Sequence, residues 1–305
     1  MIPLFHGQNR ITFKAGKLNY ISTLPQGSDY SLVWGDGNYI YVTRYGDGIR
    51  SYSVDGSGNI TFKDYDNQGG NYGKIWGDGN YIYVACYTGG IRSYSVDGSG
   101  NLTFIDSDNQ GGTYWSVWGD GNYIYTACGS LGIRSYSVDG SGNLTFVDSD
   151  NTRSYDWVYG DGNYIYCTTT AGGITSYSVD GSGNLTFVDF DNQGGQYRSI
   201  WSDSNYIYVA CDLSGIRSYS VDGSGNLTFV TTMPNYFSYD IWGDANYVYA
   251  TGFQDGIKNY SINSGGSISF ISHDDNGGEY RGVWGDGDYI YCTSYPNGLM
   301  VYSID

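Results

Sequence analysis

The chain has 305 residues, of which 48 are glycine, 35 tyrosine and only 4 proline, a composition of turn-rich β structure. Its net charge of −17 with 14 basic residues argues against nucleic-acid binding, which needs Lys and Arg to displace counterions. The same charge argues against anionic membranes, and no apolar run reaches transmembrane length.

Residues 1–16 stand outside the pattern that follows, and Ile11-Thr-Phe13 has no assigned place. Met1 to His6 shows no charged segment followed by an apolar one, so no signal peptide is expected. Residues 17–305 read as one domain. Its mark is a Trp-Gly-Asp cassette, sometimes altered, led by Trp34, Trp76, Trp118, Tyr159, Trp201, Trp242 and Trp284. The spacing is 41 or 42 residues, a repeat architecture.

In the third copy, Ser116-Val-Trp118 predicts a short strand, followed by the turn Gly119-Asp-Gly-Asn122. The alternating Tyr123–Cys128 predicts a second strand, Ile133–Val138 a third, and Leu144-Thr-Phe146 with its flanks a fourth. Four strands in about 42 residues make a propeller blade. The last copy ends at Asp305 without its fourth strand, while Leu18-Asn19-Tyr20 is an orphan fourth strand at the start. The expected fold is therefore all-β: a seven-bladed β-propeller of four-stranded antiparallel blades, closed by the N-terminal strand completing the last blade. A solenoid is the alternative.

The Tyr-Ile-Tyr-Val-Ala stretch, the following Gly-Ile, and Tyr-Ser-Val-Asp-Gly-x-Gly-x-Leu resemble LVIVD-type and lactonase-type propeller repeats over about residues 17–305. The resemblance implies the fold and, more weakly, a lactonase-type hydrolase as one possible activity. It lacks the WD40 and kelch signatures.

Cys86, Cys128, Cys167, Cys211 and Cys292 fall on second strands of separate blades, without CxxC spacing. They are expected to be buried free thiols, which suits a reducing, cytoplasmic location. The second cassette Asp recurs in all seven copies, from Asp36 to Asp286, and is expected to bond its own turn. Calcium is disfavoured there because one Asp in a tight turn supplies few of the oxygens needed, and in the Asp-x-Asp-Asn-Gln-Gly-Gly loops such as Asp64–Gly70 because they lack the EF-hand length and terminal Glu. No cofactor is implied.

Variation concentrates in the loop before each cassette and in the loop after the second strand, which open on one face of a meander blade. The two constant turns open on the other. Scaffolded loops are where binding residues are usually placed. A tyrosine precedes most cassettes, at Tyr30, Tyr72, Tyr114, Tyr155, Tyr197 and Tyr280, with Tyr239 one place closer. These could form a rim of rings at the pore mouth or pack between blades. Beside them Trp115, Trp157, Arg198 and Arg281 are anchor-type residues, and Gly73, Lys74, Asp156 and Asp240 vary with them.

The expected function is a non-catalytic binding propeller, monomeric, engaging a protein or a small polar ligand through this variable face. A lectin using repeated blade sites is the alternative from a different class. A hydrolase is the third, but the two histidines, His6 outside the ring and His273 in a loop, form no legible catalytic set.

Overall fold

The computed structural model describes residues 18–24, 30–203, 205–234, 237–244 and 246–304, with only the backbone of Tyr30. Ile11-Thr-Phe13 and His6 lie outside these residues. Among them are 28 strands in seven four-stranded antiparallel sheets, and no helix long and apolar enough to cross a membrane.

Blades 1 to 6 span residues 30–66, 75–108, 116–150, 157–191, 200–233 and 240–274. Blade 7 takes three strands from residues 279–304 and its fourth from Leu18–Leu24. Leu18 lies opposite Ile304 and Leu24 opposite Leu299. The ring is thus closed by the first strand, and the solenoid alternative falls. In the third blade the strands are Ser116–Gly119, Tyr123–Ala127, Ile133–Val138 and Leu144–Asp150. His273 belongs to the outermost strand Ile268–Asp274, not to a loop as the sequence suggested, because the fourth strand extends past its apolar start.

The cassette Asp builds the first turn in the expected way. Asp120 Oδ1 accepts the backbone N–H groups of Asn122 and Tyr123, each at 2.8 Å, and Oδ2 accepts the hydroxyl of the buried Tyr125 at 2.8 Å. A buried phenol without a partner would cost about 1–3 kcal/mol, so the carboxylate lets a tyrosine serve as core. The second turn uses Asp139, which accepts from Ser141, Asn143 and the Asn143 amide. The Asn143 side-chain bond is the main cause that lowers the carboxyl pKa of this exposed Asp139.

Each blade grips the next at three depths. At the perimeter, the N–H of Leu102 donates to Asp64 Oδ2 at 2.8 Å, and Leu144 and Leu185 repeat this with Asp106 and Asp148. Midway, the Tyr39 hydroxyl donates to Gly98 O at 2.9 Å. Near the axis, the cassette indole covers the cassette glycine of the following blade. A Cβ on Gly77 would stand 2.7 Å from the Trp34 ring, and one on Gly285 2.6 Å from Trp242, so only glycine fits.

One junction departs from this rule on both sides. The fourth leader is Tyr159, the smaller ring, and the residue where the fifth blade should carry glycine is Ser202. The Tyr159 hydroxyl bonds the Ser202 backbone. The two exceptions compensate each other. Tyr159→Trp alone is expected to overpack against Ser202 and destabilise by about 1–3 kcal/mol, and Ser202→Gly in the same chain should restore most of it, as read by denaturant unfolding. Additive losses in the double variant would refute the pairing.

All five cysteines are free and buried. Burial pushes the thiols of Cys86 and Cys211 up to about 12 and that of Cys128 to about 11, against the opposing pull of nearby arginines. Thiolate is the reactive form, so these groups should be inert at neutral pH. Thiol titration is expected to find five reactive groups only after denaturation. Rapid labelling of the native protein would contradict the packing.

Candidate functional site

The loop before each cassette and the loop after the second strand do share a face. The Tyr87 and Tyr114 backbones bridge them between blades 2 and 3, Gly129 and Tyr155 between blades 3 and 4, and Asp212 and Ser238 between blades 5 and 6.

The tyrosine series is not a rim on that face. Tyr72, Tyr114, Tyr155, Tyr197 and Tyr280 are buried between blades. Each hydroxyl lies against that of a third-strand tyrosine: Tyr114 and Tyr136 at 2.9 Å, Tyr197 and Tyr219 at 2.8 Å, Tyr280 and Tyr302 at 3.0 Å. The Tyr114 hydroxyl also accepts the Gln110 N–H at 2.9 Å, and Arg134 lies 5.2 Å from the Tyr114 ring. Arg134 itself donates to the Gln110 and Gly111 carbonyls. These tyrosines and arginines lock the Asp-Asn-Gln-Gly-Gly loops from below. Their rings present no surface to a ligand, which corrects the rim geometry, because the phenol finds a buried partner 22 residues on. The side chain of Tyr30 is outside the described residues.

Tyr239 is a different case. Ser238, buried, occupies the position of the locking tyrosines, and Tyr239 stands one place on, with Trp115, Arg198 and Arg281. The two positions that precede the cassette aliphatic in each blade carry Ser31-Leu32, Gly73-Lys74, Trp115-Ser116, Asp156-Trp157, Arg198-Ser199, Tyr239-Asp240 and Arg281-Gly282. No two pairs are alike, whereas the next position is always Val or Ile.

The pairs converge on the axis. Lys74 of blade 2 reaches across to Asp240 of blade 6, Nζ to Oδ1 3.1 Å. Asp240 is 0% exposed, and it also accepts the Ser199 hydroxyl and, at 3.1 Å, the Val283 N–H. The Lys74 ammonium sits 5.2 Å from the Trp157 ring centroid, and Trp157 meets Tyr239 edge-on at 6.4 Å. Arg198 lies 4.9 Å over Tyr239 and pairs with Asp212 at 3.0 Å. Arg281 lies 5.8 Å from Phe253 and pairs with Glu279 at 3.2 Å. Trp115 is 39% exposed and meets Tyr87 at 4.9 Å, which in turn meets Tyr45 at 5.6 Å.

Four buried polar atoms here lack a protein partner: Arg198 Nε, Arg281 Nε, Asp212 Oδ1 and Ser238 Oγ. Each is shielded from solvent, so an ordered water within the wall of the mouth is what would satisfy it.

Tyr87 and Asp212 belong to the variable loops after the second strand, without having been singled out as site residues. Both adopt left-handed backbone, φ 46° and 47°, where blade 3 uses Gly129. Strain of this kind costs on the order of 1 kcal/mol and concentrates at functional sites. Burial pushes the Tyr87 hydroxyl up to about 12, with Tyr239 and Tyr45 adding to the shift and Arg281 opposing it. The available signal was a bulky residue where a sister loop has glycine.

Among the described residues no group of three or more His, Cys, Asp or Glu could hold a metal. In the Asp64–Gly70 loop the carboxylates are engaged by Leu102 N–H and by the Gln68 amide.

No family model matches the chain, and no curated protein does. Solved structures share the fold at low identity. Virginiamycin B lyase from Staphylococcus aureus, in a catalytically inactive form with quinupristin, superposes with a TM-score of 0.72 at 14% identity, over 95% of this chain and 99% of that one. The WD40 β-propeller domain of Doa1 gives 0.72 at 13%, over 95% and 99%. The Cps50 (Swd1) β-propeller domain of Myceliophteria thermophila gives 0.73 at 10%, over 93% and 99%. The chain is a seven-bladed β-propeller. These likenesses extend to fold alone, and the LVIVD-type resemblance has no matching family model behind it.

The axial ion pair should matter for stability. Lys74→Met is expected to cost about 2–3 kcal/mol in denaturant unfolding, below the roughly 3–5 of a fully buried pair because Lys74 keeps some contact with water. An unchanged midpoint would show that Asp240 is compensated by Ser199 and the Val283 amide alone.

Proposed function

We propose that the chain is a binding propeller that holds one asymmetric ligand at the axial mouth of its variable face. The observation that carries this is the divergence of the two axial positions in every blade, within copies that keep turns, core and blade contacts nearly constant. The diverged side chains bring Arg198, Arg281, Trp115, Trp157 and Tyr239 to this end, with guanidinium groups lying over aromatic rings. Aromatic plates and guanidinium forks suit a planar or carboxylate-bearing group, from a peptide or a small molecule.

The structures alike in fold include a WD40 propeller domain and a lyase. An enzyme reading has less support from this site: His273, the described histidine, lies on the outermost strand of blade 6, remote from the axial strand of its sheet. Five buried thiols suit a reducing compartment, so the cytoplasm is the proposed location, and a monomer the proposed state.

The test is a screen of peptide and small-molecule arrays against the purified protein, followed by variants. Arg281→Ala and Trp115→Ala are expected to weaken a hit at least tenfold with the melting temperature within about 2 °C of the parent. Loss confined to turn variants such as Asp36→Asn with Asp120→Asn, at intact stability, would remove the mouth from consideration.

A further inference from the structure

The constant face carries a second feature that the fold does not use. At three successive junctions the cassette turns of adjacent blades enclose open grooves, of 360 Å³ between blades 1 and 2, 380 Å³ between blades 2 and 3, and 670 Å³ between blades 3 and 4. The lining repeats. The blade 2–3 groove is bounded by Asn80 and Tyr81 on one side, Asn122 and Tyr123 on the other, and Asp139-Gly140 at the rim.

Most polar groups there are spent. Asp78 serves its own turn and Tyr83, Asp139 serves its turn, and the Tyr81 hydroxyl donates to Gly140 O at 2.9 Å. The asparagine side chains are not. Asn38, Asn80, Asn122 and Asn163 are exposed, and among the described residues only their backbone N–H groups are hydrogen-bonded. The turn needs that N–H and nothing from the amide. Yet asparagine stands at this position in six copies, with Asp288 in the seventh, while the axial pairs have drifted in all seven.

We infer that these inter-blade grooves are repeated sites for neutral sugar rings, with the asparagine amides as the recognising groups. An amide offers two donors and an acceptor, the set that vicinal hydroxyls require. The tyrosine ring supplies an apolar surface for the C–H face of a pyranose. No Lys or Arg lines the three grooves and each holds carboxylates, which disfavours an anionic ligand. Each groove is open and binds weakly alone, so affinity comes from several junctions engaging one polymer or clustered glycan. This inference is independent of the axial site.

The test uses agarose bearing D-galactose, D-mannose or N-acetylglucosamine, in buffer with EDTA, with soluble competition by the free monosaccharide. Retention on at least one resin is expected, and it should fall at least tenfold for the quadruple variant Asn38→Ala, Asn80→Ala, Asn122→Ala, Asn163→Ala at an unchanged melting temperature. If that variant melts early, the same four positions as aspartate serve instead, since Asp288 shows that the turn accepts it; retention should fall likewise. Arg281→Ala should bind the resin normally. No retention of the parent protein, retention only with added calcium, undiminished binding of the quadruple variants, or loss in Arg281→Ala would each overturn the inference.

Discussion

The contact on which this architecture rests is an indole lying on a glycine of the next blade. It sets how closely the axial strands approach, and so how many blades close the ring. Trp34 covers Gly77, Trp76 covers Gly119, and Trp284 returns to cover Gly35. Neighbouring indoles then touch in turn, as Trp34 with Trp284 at 6.4 Å and Trp76 with Trp118 at 6.1 Å. The exception at Tyr159 and Ser202 shows that this is a constraint on combined volume: a lost ring carbon skeleton on one side is matched by a gained Cβ on the other. Because each blade is held by its neighbours, the core is a set of seven similar clusters, and the chain escapes the size limit of a single interior.

That scaffold leaves two positions per blade outside the constant repeat, and these are where chemistry differs. Their partners come from other blades, as Lys74 meets Asp240 and Trp157, so each position is packed in its own way. The asymmetric network of Lys74, Asp240 and Ser199 could not be assembled from identical copies. The constant face obeys the opposite logic, with the same groups presented at each junction.

Much of the fold was legible because spacing reports topology directly. The cassette period, the orphan Leu18–Tyr20 segment and a last copy that reaches Asp305 without a fourth strand together favoured a closed ring over a solenoid. The site was legible only in part. Trp115, Trp157, Arg198 and Arg281 were visible as departures among copies. The tyrosines were ambiguous, since a phenol with a buried partner in the third strand and one at an axial rim have the same local sequence. Tyr239 looked like a displaced member of that series, but Ser238 takes the locking position and Tyr239 meets Arg198, Trp157 and Phe253 instead. Tyr87 and Asp212 were visible only as members of a variable loop, and their left-handed backbone shows in the sequence only by comparison with Gly129 of the sister loop.

The bridge from Lys74 to Asp240 also fixes how the mouth can respond to a guest. It joins blades on opposite sides of the ring, so the diameter between them is set before anything arrives. For the ligand proposed above, the mouth would then act as a rigid template, with little ordering left to do at the moment of encounter. Variants within the mouth should accordingly alter how long a guest stays more than how fast it enters.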